Sequence, residues 1–353
     1  MGSDVVSRLP VTVVTGFLGA GKTTLLRHLL TQSGLRLAVL VNEFGEVGID
    51  GDLIAACGFC PEDELAGRVV ELANGCLCCT VQEEFLPTMQ ALLQRADQLD
   101  GVIVETSGLA LPEPLIAAFG WPEIRTRTRV HAVVTVVDGE ALANGHVVGD
   151  ASAVEAQRQA DPSLDHLQAL EELFAEQLEA ADVVLVSRAD RLESAALAEV
   201  VERVQGLLDG PKPVLPISRG VVDAALLLGG ETGSADLDAD DASASHDHSD
   251  DHPHDHHHVA MTSLLVERSG DWEREALELR LQQLLDQLPV LRLKGRLQQP
   301  GKRLPLQIQA VGQRLDCWYE ATPAADPERP GLQLVVLAAA SDRDRLEEAF
   351  AAF

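Results

Sequence analysis

From Leu9 to about Arg219 the apolar positions come in short, nearly unbroken runs: LPVTVVT, RLAVLV, GVIVET, HAVVTVVD, DVVLVS and PVLPIS. Runs of this kind lack the period of two that a half-exposed strand shows, so each predicts a strand buried on both faces, as in a parallel sheet. Between them lie amphipathic segments, among them Thr23–Gln32, Glu84–Gln94 and Leu164–Glu179, with apolar residues at helical spacing. Strands alternating with helices predict a doubly wound, mostly parallel α/β domain.

The pattern changes after Gly229. Residues 231–258, ETGSADLDADDASASHDHSDDHPHDHHH, hold nine acidic side chains, seven histidines and no Lys or Arg. A stretch so polar has too little apolar surface to offset the entropy of folding, and it reads as a flexible linker. Beyond it, MTSLLVER, a helical stretch near Trp272–Leu288, then LRLKGRLQ, LPLQIQAVG, QRLDCWYE and GLQLVVLA, and a last helix from Asp342 to Phe353, predict a smaller α+β domain with an antiparallel sheet. The expected organisation is therefore a larger α/β domain over 1–228, a linker over 229–259 and an α+β domain over 260–353.

Composition narrows the function classes. A length of 353 residues suits two domains, and a hydrophobic fraction of 46% excludes a disordered chain. With 27 Lys+Arg against 56 Asp+Glu, the net charge of −29 repels a polyphosphate backbone, and aromatics at 3% leave few platforms for stacking bases, so nucleic acid is not an expected partner. No apolar run approaches eighteen residues, and the first one leads into a glycine loop rather than a cleavage site, so no membrane span or secretory leader is expected. Six cysteines are too few for a disulfide framework, and five of them lie between Cys57 and Cys79, which points to a thiol site in the reducing cytoplasm.

Gly16-Phe17-Leu18-Gly19-Ala20-Gly21-Lys22-Thr23 fits the phosphate-loop pattern G-x-x-x-x-G-K-[ST] between a predicted strand and a predicted helix. Its glycines let backbone N–H groups of Gly19, Ala20, Gly21 and their neighbours through Thr24 converge on phosphate oxygens. Lys22 is expected to project into a solvated site toward the β- and γ-phosphates without core contacts, and the Thr23 hydroxyl to take a position on Mg²⁺. Val102-Ile103-Val104-Glu105-Thr106-Ser107-Gly108 supplies an acid at a strand's end and, three residues on, a glycine whose N–H could reach the γ-phosphate. Ser187-Arg188-Ala189-Asp190 ends another strand where guanine-binding proteins carry N-K-x-D. Asp190 can accept from the guanine N1 and N2 donors, which adenine lacks, the Arg188 stem can cover the base, and Ser187 stands where an amide is usual. Asn42-Glu43-Phe44-Gly45-Glu46-Val47-Gly48 has the glycines of a moving switch loop.

Gly75-Cys76-Leu77-Cys78-Cys79 places three thiols within four residues. Thiolates are soft ligands that suit zinc, cobalt or copper(I), and a nearby carboxylate can complete a tetrahedron. A redox pair or buried small hydrophobes are the alternatives. Cys57-Gly58-Phe59-Cys60 is either a second ligand pair, a redox motif or ordinary surface thiols, and Cys317 reads as packing in an alternating strand. The histidine tract would bind divalent ions loosely or act as a solvated spacer.

Together GFLGAGKTTLL (16–26), LVNEFGEVGIDGD (40–52), ELANGCLCCT (71–80) and ETSGLALPEPL (105–115), followed by a His-rich linker and a segment like LRLKGRLQ, resemble the CobW family of metal-trafficking GTPases across essentially the whole chain. WPEIRTR and the Cys57…Cys60-Pro61-Glu62 segment look most like its cobalamin-synthesis branch. The resemblance implies a GTPase with GTP and Mg²⁺ as ligands, catalytic groups at Lys22, Thr23, Glu105 and Gly108, and guanine contact at Asp190, with Ser187 and Arg188 of the same segment standing where the family usually has Asn-Lys. It further implies a transferred ion on Cys76, Cys78 and Cys79, Co²⁺ for a cobaltochelatase in cobalamin synthesis, with Zn²⁺ for another client as the alternative, Glu46 as a further candidate ligand and a nucleotide- or metal-dependent dimer. Two other classes compete: a metal-storage protein whose nucleotide site is incidental, and a small-molecule kinase that shares only the phosphate loop.

Overall fold

A computed structural model describes residues 8–41, 69–71, 85–160, 169–229, 260–319, 331–351 and 353. They divide into two compact units, one of residues 8–209 with 214–229, the other of 210–213 with the described residues of 260–353. In the first, strands β1 (Leu9–Thr15), β2 (Leu37–Val41), β3 (Val69–Glu71), β4 (Gly101–Glu105), β5 (Thr128–Asp138), β6 (Val183–Ser187) and β7 (Val214–Pro216) form one sheet in the order β3-β2-β4-β1-β5-β6-β7. Every pairing is parallel. The expected doubly wound sheet is thus what the chain forms, and β4 and β6 are buried at every position, which is why their sequences read as continuous apolar runs.

Helices α1 (Lys22–Gln32), α2 (Leu86–Leu93), α3 (Glu113–Ala118), α4 (Gly139–Ala143), α5 (Ala151–Ala160), α6 (Leu170–Glu179) and α7 (Ser194–Leu207) lie between the strands, and α8 (Ala224–Leu227) follows β7. Their apolar stripes fill the core: Leu25, Leu26 and Leu29 of α1, Met89 of α2 and Leu178 of α6 are all inaccessible to solvent. The helix expected over 164–179 begins, among the described residues, at Leu170. The chain leaves β1, runs out to β2 and β3, returns to β4 beside β1, and then crosses to β5. The carboxyl ends of β1, β4, β5 and β6 therefore converge where ligands bind in such sheets.

The second unit holds β8 (Met261–Ser269), α9 (Arg274–Leu285), β9 (Arg292–Gln298), β10 (Leu306–Val311), β11 (Arg314–Tyr319), β12 (Gly331–Ala339) and α10 (Arg343–Ala351). Its sheet is antiparallel, in the order β11-β10-β9-β12-β8. Leu277, Leu281 and Leu285, one helical stripe of α9, pack with Phe350 of α10 on Leu293, Ile308 and Leu334 of the sheet. Among the described residues no helix is long and apolar enough to cross a membrane.

Candidate functional site

The phosphate loop is built by three glycines that no other residue could replace cheaply. Gly16, Gly19 and Gly21 have φ of +130°, +76° and +106°, and a Cβ on Gly16 would lie 2.1 Å from the Val136 carbonyl oxygen of β5. Gly21 caps α1 in the left-handed region without a side-chain cap, so the first N–H groups of α1 and its dipole face the loop's concave side. Thr23 and Thr24 are exposed there.

Lys22 departs from expectation. It is only 6% exposed, its Nζ donates to the carbonyl oxygens of Gly16 (2.8 Å) and Phe17 (3.3 Å), and it lies 3.8 Å from Glu105 Oε1. An ammonium at the base of the loop is drawn to the carbonyls that the left-handed glycines turn inward, so the side chain belongs to the loop's own framework rather than to solvent.

Glu105, itself 8% exposed, ends β4, and the next residues form a tight turn. Thr106 N–H donates to the Val14 carbonyl (3.0 Å) and Thr106 Oγ1 to Thr15 Oγ1 (2.9 Å), so the turn hangs from β1; Ala110 N–H closes it on the Ser107 carbonyl (3.1 Å). Gly108 presses on the phosphate loop so closely that a Cβ would come within 2.5 Å of the Leu18 nitrogen. Ser107 Oγ is buried without a hydrogen-bond partner among the described residues, which fits a group kept for a ligand oxygen or water.

The third wall is the end of β6. Ser187 is buried, its Oγ likewise has no partner among the described residues, and it packs beside Gly21. Arg188 adopts φ +57°, and its guanidinium is anchored: Nη2 donates to the Gly19 carbonyl (2.8 Å) and Nη1 to Asp138 Oδ2. Asp138, buried at the end of β5, also accepts from the N–H groups of Glu140 and Ala141 and so caps α4. Asp190 is exposed, with Arg219 Nε 3.7 Å from its Oδ2. The Ser218-Arg219-Gly220 loop sits alongside because Ala189 N–H donates to the Ile217 carbonyl and Gly220 lies against the Thr24 backbone.

The structure therefore gathers Gly16, Gly19, Ala20, Gly21, Lys22, Thr23, Thr24, Glu105 and Gly108 with Ser187, Arg188 and Asp190 around the start of α1. Glu46, the 42–48 segment, Cys57, Cys60, Cys76, Cys78 and Cys79 lie outside the described residues, and so does the histidine tract. Among the described residues no group of three or more His, Cys, Asp or Glu is placed to hold a metal ion. Cys317 lies on β11, where burial, with Glu278 and Asp316 nearby, pushes its thiol up to about 12, in line with a packing role. Two residues escaped sequence reading, Asp138 and Gln177. The second is fully buried on α6 and donates through Nε2 to the carbonyls of Gly108 (3.2 Å) and Ala110 (3.4 Å). Asp138 left one faint signal, an acid ending a strand just before Gly-Glu; Gln177 left none.

A parallel sheet whose first strand enters a glycine loop at a helix start, with a lysine in the loop and an acid ending the adjacent strand, defines a phosphate-loop nucleotide-binding protein. Residues 10–216 match the family described as CobW/HypB/UreG, nucleotide-binding domain, and residues 261–353 match the cobalamin synthesis protein cobW C-terminal domain. The chain belongs to the CobW family. It is 47% identical over 338 residues to the zinc chaperone CobW of Pseudomonas aeruginosa, a match covering 94% of this chain and 88% of that protein. It is 42% identical over 333 residues to the zinc chaperone CobW of a Sinorhizobium species, covering 94% and 92%. The zinc chaperone YjiA of Escherichia coli K12 is 32% identical over 225 residues, 62% of this chain and 60% of that protein.

Proposed function

We propose that this protein is a GTP-hydrolysing metallochaperone that carries a divalent transition-metal ion and yields it to a client metalloprotein or chelatase in the cytoplasm when GTP is hydrolysed. The observation that carries the reading is the convergence of the positive-φ glycine loop, buried Glu105 and the Gly108 turn on the first turn of α1. In it, N–H groups from Gly16 to Thr24 bind the phosphates, and Lys22 turns from the loop carbonyls toward the β- and γ-oxygens. Gly108 N–H reads the γ-phosphate, and Asp190 accepts from guanine N1 and N2. Arg188 ties the loop to β5 and β6 through Gly19 and Asp138 while its stem faces the base. Thr23 and Glu105 are the groups that would hold Mg²⁺, which when bound supplies Lewis-acid stabilisation of phosphate charge.

The cargo ion is read onto Cys76, Cys78 and Cys79. Thiolate chemistry suits both Co²⁺ and Zn²⁺; the sequence resemblance puts Co²⁺ first, whereas the names of the relatives favour Zn²⁺. In the GTP state the switch around Glu43–Gly48 and the Glu105–Gly108 turn gather the thiolates into a closed site, and hydrolysis lets them part. Near-complete release needs the two nucleotide states to differ in metal affinity by about 5.5 kcal/mol. The test is competitive Zn²⁺ and Co²⁺ titration of the reduced protein with Mg²⁺ and a slowly hydrolysed GTP analogue, with GDP, and without nucleotide. At least tenfold tighter metal binding in the GTP-like state, lost in Cys78→Ser/Cys79→Ser, is expected. Equal affinity in all three states would favour metal storage and sink the chaperone reading.

A further inference from the structure

Gly108 has no side chain to restrict its backbone, yet to contact a γ-phosphate its N–H must point at one phosphoryl group. That orientation has one support inside the turn and one outside it. The peptide joining Ser107 to Gly108 is planar, with its N–H opposite its carbonyl, and that carbonyl is turned inward to Ala110 N–H. The next peptide is held by Gln177, whose Nε2 donates to the carbonyls of both Gly108 and Ala110. Gln177 is completely inaccessible to solvent, and its own carbonyl accepts from Thr135 Oγ1 of β5 at 2.8 Å. Its Oε1 is buried with no partner among the described residues, so the site bears the desolvation of an amide oxygen in order to present an amide nitrogen. A leucine or methionine would fill such a position without that cost.

The same face of α6 touches the opposite wall. Phe174, three residues before Gln177, stacks on Phe17 of the phosphate loop, with ring centroids 6.1 Å apart and planes 14° from parallel. One helix thus braces both structures that would flank the γ-phosphate: the loop through Phe174 and the turn through Gln177.

We propose that Gln177 is a positioning residue for GTP hydrolysis, holding the Gly108 and Ala110 carbonyls and with them the turn against the phosphate loop, so that the Gly108 N–H on the preceding peptide is preorganised for a γ-phosphate, with α6 as the element that feels whether that phosphate is present. This rests on the nucleotide reading of the site. Since the β-phosphate is held by the loop alone, the amide bears on GTP and not on GDP.

The experiment compares the full-length protein with Gln177→Met, which keeps volume and removes the donor. Binding of GDP and of a slowly hydrolysed GTP analogue, kcat for GTP and thermal stability are measured on both. GDP affinity should stay within about twofold of the parent, while analogue affinity and kcat each fall about tenfold. A packing role alone would lower stability and weaken both nucleotides equally, and that result, or hydrolysis within twofold of the parent, overturns the proposal. Hydrogen exchange of the parent gives an arm independent of the variant's folding. The peptide spanning 170–179 should be more protected with the analogue than with GDP, and equal protection overturns the proposal even if Gln177→Met does not fold. If the parent binds neither nucleotide, the functional reading has failed and the proposal falls with it; if the parent binds both and the variant is unchanged, the proposal alone has failed.

Discussion

Lys22→Met separates a lysine that waits in solvent from one that is part of the fold. The substitution keeps the unbranched stem and removes the charge. In the structure the ammonium gives hydrogen bonds to two carbonyls, at 2.8 and 3.3 Å, and stands 3.8 Å from the Glu105 carboxylate in a nearly solvent-free pocket. At an effective dielectric of about 20 that ion pair alone is an attraction of about 4 kcal/mol, before the desolvation of both partners is subtracted. Charged hydrogen bonds contribute about 1.5–3 kcal/mol each, and the buried methionine returns some apolar stabilisation. The net loss expected is about 2–3 kcal/mol in the nucleotide-free protein, which for a domain of this size lowers Tm by about 5–10 °C. Differential scanning calorimetry without nucleotide reads this directly, following the transition that GDP shifts in the parent. Hydrolysis, assayed as phosphate release, should fall by at least about a hundredfold, because in the proposed function the same ammonium turns onto the phosphates. A variant that melts within about 1 °C of the parent would show that the ammonium does not brace the loop and would refute the reasoning, whatever happens to hydrolysis.

Two further outcomes follow from contacts elsewhere. Gly108→Ala would set a Cβ 2.5 Å from the Leu18 nitrogen and 3.1 Å from its Cα, so the turn must retreat from the loop; hydrolysis should fall about a hundredfold with about 1–3 kcal/mol lost in stability, as phosphate release and urea unfolding would show. Cys317 should resist alkylation in the native protein at pH 8: raising its thiol from the ordinary 9.0 to about 12 cuts the thiolate fraction about a thousandfold, a protection that peptide mapping by mass spectrometry would find abolished in urea. Because the folded thiol holds its proton more tightly than the unfolded one, this group adds stability that is fully present below about pH 9 and is lost as pH rises toward 12.

What the chain's order of residues determined alone was everything that depends on local pattern. The runs LPVTVVT, GVIVET and DVVLVS became β1, β4 and β6 within a residue or so of their expected ends, since a strand buried on both faces must be apolar at successive positions. The alternating segments after the linker became β8 to β12 for the complementary reason. The phosphate loop was legible because its chemistry is contiguous: the glycines, lysine and threonine that act together are neighbours in sequence.

Tertiary structure decided whatever depends on residues far apart. No local pattern says that β4 lies between β2 and β1, and that placement is what brings Glu105 to Lys22, 83 positions away in the chain. Lys22 was misread as solvated because its partners are carbonyl oxygens and a distant acid, neither of which a motif records. The place of Arg188 in Ser187-Arg188-Ala189-Asp190 says what its stem could cover, but not that its guanidinium is held by Asp138 from β5 and by Gly19 from the loop. Gln177 is the extreme case, an ordinary polar residue in an amphipathic helix whose role exists only because the α6 backbone is tied to β5 and its amide reaches a turn 69 residues earlier. Hydrogen-bond partners follow from which strand ends the sheet brings together, and strand order is settled by the packing of the whole domain rather than by any stretch of it.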